Sequence, residues 1–152
     1  MLETNSSIGR LILRQNQIAF PGMQTWGPAL KKNSSLFSID LRGNLLTDHC
    51  AEILASSLVE NTTLAELELG NNFEISNAGA FEFAKAIPYM KGLHSLKMQY
   101  TKMNTKGYEH LARALLKNRT ITELNVANIL TKAQPPIIDS LINFNVVSGL
   151  LD

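Results

Sequence analysis

The stretch from Leu36 to Thr63, LFSIDLRGNLLTDHCAEILASSLVENTT, is followed by a second copy of its own pattern. With Leu64 laid under Leu36, the residues Leu36, Ile39, Leu41 and Asn44 fall over Leu64, Leu67, Leu69 and Asn72, a period of 28 residues. The first half of the unit alternates apolar and polar side chains across Ile39, Asp40 and Leu41, the period-two signature of a short strand with one buried face. The second half changes period. Cys50, Ile53, Leu54, Ser57 and Leu58 recur at three and four, which places them on one face of a helix. One strand, one turn and one helix cannot bury their apolar faces alone, so each unit has to stack on the next. The chain is constrained to a solenoid.

The run L-x-x-I-x-L-x-x-N followed by a helix, kept in phase over several copies from about Asn5 to Asn145, resembles the leucine-rich repeat, specifically the long ribonuclease-inhibitor-like class. That resemblance implies an α/β fold: a right-handed β-α superhelix with a concave parallel sheet and helices on the convex side. A single solenoid domain over residues 1–152 is expected, with units at about 8–35, 36–63, 64–92 and 93–120 and a degenerate fifth at 121–148. Asn5-Ser6-Ser7-Ile8 matches Asn33-Ser34-Ser35-Leu36, so the chain opens on the tail of a unit. Solenoids need their ends covered. A piece of a larger protein is therefore expected, with self-association through uncapped ends as a second possibility.

Each unit carries local irregularities. In unit one Pro21 and Gly22 open the helix, and Trp26-Gly27-Pro28 inside it predicts a short or kinked helix, because proline removes a hydrogen bond and crowds the preceding turn. Trp26 stands in register with Leu54, Phe83 and Leu111, which places it in the core. Unit three holds one extra residue within Phe73 to Asn77, and its helix ends at Pro88-Tyr89-Met90 in place of the usual asparagine turn. Unit four has Thr101 where the marker asparagine belongs, so a hydroxyl must bond the turn, with Tyr100 beside it. Unit five starts at Ile121, Leu124 and Val126, slips at Asn128, and regains phase at Leu130, Ile138, Ile142 and Asn145; Val146, Val147, Leu150 and Leu151 follow as a possible cap. The four N-x-S/T triplets at Asn5, Asn33, Asn61 and Asn118 read as turn punctuation rather than glycosylation sites, because they recur at one repeat phase.

A composition of 45% hydrophobic and 18% charged residues is that of an ordinary globular chain. A net charge of +1 offers no field for nucleic acid or anionic lipid, and no stretch approaches the roughly 20 apolar residues of a membrane span. The opening MLETNSSIGR lacks the apolar run of a signal peptide, and Cys50 is the single cysteine. A cytoplasmic protein is expected, with Cys50 as a small buried hydrophobe. His49, His94 and His110 sit at unrelated phases without ligand spacing, and no phosphate loop or nucleophile elbow is present. No catalysis, cofactor or metal is expected.

The residues between the strand leucines point out of the concave face. Unit by unit they read Arg10, Ile12, Arg14; Ser38, Asp40, Arg42; Glu66, Glu68, Gly70; Ser95, Lys97, Gln99; and Glu123, Asn125, Ala127. Arg14 and Arg42 become adjacent like charges that Asp40 balances, and Glu66 with Glu68 make an acidic step. Such a surface suits recognition of a protein of complementary charge. The candidate contact residues are Arg14, Asp40, Arg42, Glu66, Glu68, Lys97 and Tyr100, the arginines for bidentate pairing with carboxylates and Tyr100 as an anchor. The function expected is a protein-protein interaction module; its partner's identity is not readable from repeats. Two other classes are similar in repeat type: the actin-binding end of tropomodulin, a pointed-end cap, and the Ran GTPase-activating protein.

Overall fold

The computed structural model describes residues 2–127, 135, 136 and 138–140. Strands and helices alternate: β1 (Arg10–Ile12), α1 (Phe20–Lys32), β2 (Ser38–Asp40), α2 (Asp48–Glu60), β3 (Glu66–Glu68), α3 (Asn77–Ala86), a 3-10 turn (Ile87–Tyr89), β4 (Ser95–Lys97), α4 (Thr105–Leu115) and β5 (Glu123–Asn125). The five strands form one parallel sheet in chain order. Their register follows the repeat, with Leu11, Ile39, Leu67, Leu96 and Leu124 side by side. The ladder runs past the strands proper: Leu13, Leu41 and Leu69 donate to Asp40, Glu68 and Lys97, and Gln15, Gly43 and Asn71 to Arg42, Gly70 and Gln99. Between sheet and helices lies a continuous apolar core containing Leu36, Leu41, Leu54, Leu58, Leu64, Leu69, Phe83, Leu96 and Leu111.

Three rows of polar side chains join the units through backbone groups that the turns would otherwise leave without partners. The first row follows the strands. Asn44 Nδ2 donates to Leu41 O at 2.8 Å and to Leu13 O of the preceding unit at 3.0 Å, while its Oδ1 accepts from Asn16 N and Ile18 N. Asn72 repeats this with Leu69 O, Leu41 O and Leu46 N. Thr101 bonds only Met98 O, at 3.0 Å in its own turn. A hydroxyl does substitute there, but it is one atom too short to reach back, and this row stops.

The second row follows the helices. Asn33, Asn61 and Asn118 are buried, each donating from Nδ2 to two carbonyls of the unit before and accepting on Oδ1 the amides two and three residues on. An amide nitrogen so held is closed to a glycan, which agrees with the punctuation reading for these three. Met90 fills the slot in unit three as a buried hydrophobe. The third row lies at the helix starts. Asp48 accepts from Ser76 N, Ser76 Oγ and Gly79 N, and Asn77 accepts from Asn104 N and Gly107 N, so α3 and α4 are each capped by the unit before.

Two expectations are corrected. Helix α1 is not short: its 13 residues equal those of α2, with Pro28 inside. Pro28 and Gln24 are both exposed, so water can take the carbonyl that proline leaves unpaired, and Gly27 in front presents no side chain to crowd. Trp26 is half-buried and packed against the core rather than enclosed by it; Met23 and Leu30 are the fully buried side chains of α1. The extra residue of unit three gives a loop in which Phe73 is 54% exposed, Thr47 bridges Glu74 in parallel and Ile75 is buried. Cys50 is buried, its sulfur 3.6 Å from Thr47 Oγ1. The unit-five readings at Asn128, Leu130, Ile142 and Asn145 and over Val146 to Leu151 lie outside the described residues.

Candidate functional site

The parallel register puts the outward side chains of the sheet into two rows. Arg10, Ser38, Glu66, Ser95 and Glu123 form one, and Ile12, Asp40, Glu68, Lys97 and Asn125 the other. At a strand spacing of about 4.8 Å, opposite charges on neighbouring strands meet. Asp40 receives Arg42 Nε on Oδ1 at 3.0 Å and Arg42 Nη2 on Oδ2 at 2.7 Å. Arg42 Nε also lies 3.3 Å from Glu68 Oε2. That oxygen is enclosed without a hydrogen bond, so this contact is an ion pair rather than a directed bond. Glu68 Oε1 is 3.4 Å from Lys97 Nζ, which is 3.0 Å from Glu123 Oε1, and Ser95 Oγ donates to Glu123 Oε2 at 2.6 Å. The sequence of charges along the face is therefore minus, plus, minus, plus, minus, from Asp40 to Glu123.

Asp40, Arg42, Lys97 and Glu123 are each shifted by their neighbours in this chain. The hydrogen bonds from Arg42 hold the Asp40 carboxyl below its ordinary value against the opposing effect of partial burial, with a smaller contribution from Arg14. Arg42 is raised in turn, chiefly by Asp40. Lys97 is raised by its bond to Glu123 and by the field of Glu68. Burial pushes Glu123 up, but the Ser95 hydroxyl and the Lys97 ammonium outweigh it and hold the carboxyl low.

The geometry revises the expected contact set. Asp40 is buried and Arg42 is committed to it, so neither is a free pole for a partner's charge. Ser38 and Ser95 are likewise buried between longer neighbours. Glu66 and Glu68 do not form a free acidic step, because Glu66 pairs across two strands with Arg10 at 3.3 Å and Glu68 sits between Arg42 and Lys97. Lys97 bridges two carboxylates. Arg14 alone of the seven is exposed and makes no ion pair among the described residues; it lines a polar hollow of about 450 Å³ with Gln15, Arg42, Gly43 and Asn71. Tyr100 is half-buried at the same edge with φ at 59°. Ile12, beside Asp40, is 56% exposed and apolar. It was legible as a concave residue but carried no charge to mark it, and Arg10, Ser95 and Glu123 were overlooked for want of the cross-strand pairing that only the folded register supplies.

Among the described residues no group of three His, Cys, Asp or Glu could hold a metal, and no helix is long and apolar enough to cross a membrane. The histidines are dispersed: His49 packs on Phe20, His110 meets the edge of Phe81, and His94 Nδ1 contacts Thr120 O.

No protein-family model matches the chain. Among curated proteins it is 30% identical over 129 residues to the bovine NACHT, LRR and PYD domains-containing protein 5, and 31% identical over 124 residues to bovine protein 9 of the same name. The human protein 14 is 27% identical over 124 residues. The matches take in 80 to 84% of this chain but only 11 to 12% of those relatives. Among solved structures, Leiomodin-1 Actin-Binding Site 2 superposes with a TM-score of 0.87 at 18% identity, covering 99% of this chain and 88% of that one. The tropomodulin C-terminal domain of Caenorhabditis elegans gives 0.81 at 10% identity, covering 98% and 90%. The fold is a leucine-rich-repeat solenoid.

Proposed function

We propose that the chain is a protein-binding module of the ribonuclease-inhibitor-like repeat class that holds a partner protein on its concave sheet. The observation that carries the reading is the cross-strand charge chain from Asp40 to Glu123, which fixes one pattern of side chains beside the exposed, unpaired Ile12 and Arg14. A fixed pattern loses little side-chain entropy on binding. In this reading Ile12 is the apolar anchor and Arg14 the charged one, with Tyr100 three units along the same edge. Asp40, Arg42, Glu66, Glu68 and Lys97 form the shaped floor and set the field that selects and orients the partner. The face is non-catalytic, since its carboxylates are engaged with cations rather than poised for proton transfer. A cytoplasmic location belongs to this reading and is supported by the single, buried thiol.

The test is affinity capture from a native lysate with the wild-type chain and with Ile12→Glu/Arg14→Glu. Arg42 is left intact, because a carboxylate there would face Asp40 and Glu68. A protein held by the wild type and lost from a variant with unchanged circular dichroism supports the concave site, and identical captures contradict it. A second reading, a cap on actin pointed ends, is favoured by the likeness to the leiomodin actin-binding site. Under that reading the chain slows pointed-end elongation in a polymerisation assay, and the same variant does not.

A further inference from the structure

The convex side carries a second feature that the concave reading does not use. Between α3 and α4 runs a groove of about 430 Å³ with Phe81, Ala84, Pro88, Ala114 and Leu116 on its floor and Lys85, His110, Arg113 and Lys117 around it. The repeat provides its own control at Phe81 and at the position that Lys85 and Arg113 share. Where unit three has Phe81, units one, two and four have Gln24, Glu52 and Glu109, the polar residues that an exposed helix position ordinarily takes. Phe81 is 45% exposed and Leu116 59%, so neither belongs to the core. Where unit three has Lys85 and unit four Arg113, units one and two have Pro28 and Ser56. The two grooves before it on this face carry acids: Glu52 lines both, and Glu82 joins it in the second.

Charge distinguishes the occupant. Lys85 lies 5.4 Å over the Phe81 ring and also pairs with Glu82, which points to the neighbouring groove. Arg113 and Lys117 make no ion pair among the described residues and flank the apolar floor from the α4 side. No carboxylate lines this groove. Two free cations beside an exposed aromatic and a leucine are complementary to an acidic segment that also carries a bulky apolar side chain.

We infer that the α3–α4 groove is a second docking site, taking an acidic amphipathic segment of a partner protein with its apolar anchor on Phe81 and Leu116 and its carboxylates on Arg113 and Lys117. It is independent of the concave face. The probe is a labelled synthetic helix-forming peptide with glutamates around one tryptophan and one leucine, titrated onto the full chain by fluorescence anisotropy at low and at physiological salt. Saturable binding is expected, weakening with salt. Phe81→Gln, which installs the residue of unit one, and Arg113→Glu/Lys117→Glu should each weaken it by about 10-fold or more with circular dichroism unchanged, while Arg14→Glu leaves it intact. Absence of binding, equal binding of a peptide with lysine in place of each glutamate, or wild-type affinity in both groove variants overturns the proposal. Retention on phosphatidylserine vesicles that the peptide does not displace also overturns it, by assigning the groove to a membrane surface.

Discussion

Tyr100 has a φ of 59° at the repeat position where Gly43 and Asn71 also take left-handed conformations. Glycine and asparagine enter that region easily, whereas a bulky side chain is strained there by about 1 kcal/mol. Gln15 takes the same conformation, with φ 59°, so the turn imposes it on whichever side chain stands there, and under the proposed concave reading Tyr100 is kept for contact. Tyr100→Asn is therefore expected to raise stability by about 1 kcal/mol in urea unfolding and to weaken capture of the concave partner. One residue on, Thr101→Asn should add the missing reach to Leu69 O and stabilise by about 1 kcal/mol, the net value of one buried hydrogen bond. Gly79 tests the opposite sign. Alanine is the better helix former by about 1 kcal/mol, but its Cβ would lie 2.7 Å from Asp48 Oδ1 and 2.9 Å from Ile75 Cγ2. Displacing Asp48 would release its bonds to Ser76 and Gly79, so Gly79→Ala should destabilise by about 1–3 kcal/mol.

At the scale of the elements, the sheet is joined by charge as well as by backbone. In the folded chain Asp40 and Glu123 lie below their ordinary values of 3.8 and 4.5, so the folded state binds their protons less readily than the unfolded one. Their stabilisation is complete above those ordinary values and disappears as pH falls through the lowered ones. The midpoint of thermal unfolding should thus decline between about pH 5 and pH 2, and Asp40→Asn should start lower at neutral pH and decline less. A decline as steep in Asp40→Asn as in the wild type would remove this carboxylate from the account. Much of this was legible: alternation across Ile39, Asp40 and Leu41 showed which side chains leave the core, and the 28-residue period showed which stand side by side. Their pairing was not. Whether Arg42 turns toward Asp40, Glu68 or solvent depends on side-chain geometry at distances of 3 Å, and a charge written on a face is not yet a charge available to a partner.

For the whole molecule, the strand–helix order and the core followed from the apolar period because stacking is the one way such units bury their faces. Helix α1 keeps its full length because Pro28 falls on the solvent side, where a lost bond matters least. The convex groove was invisible as a site, since Phe81, Lys85, Arg113 and Lys117 come from two units and meet only when α3 packs on α4. The resulting molecule has a sheet whose outward charges pair with one another and an opposite side whose helices differ from groove to groove. The proposed concave site sets Ile12 and Arg14 against a partner protein. Site-specific photocrosslinking in native lysate tests this most directly, with benzoyl-phenylalanine placed at position 12 on the sheet and, separately, at the exposed Gln24 on the convex face. The account predicts a discrete protein adduct from position 12 that Arg14→Glu abolishes, and no such adduct from position 24. No adduct at position 12, or the same adduct from both positions, would contradict it.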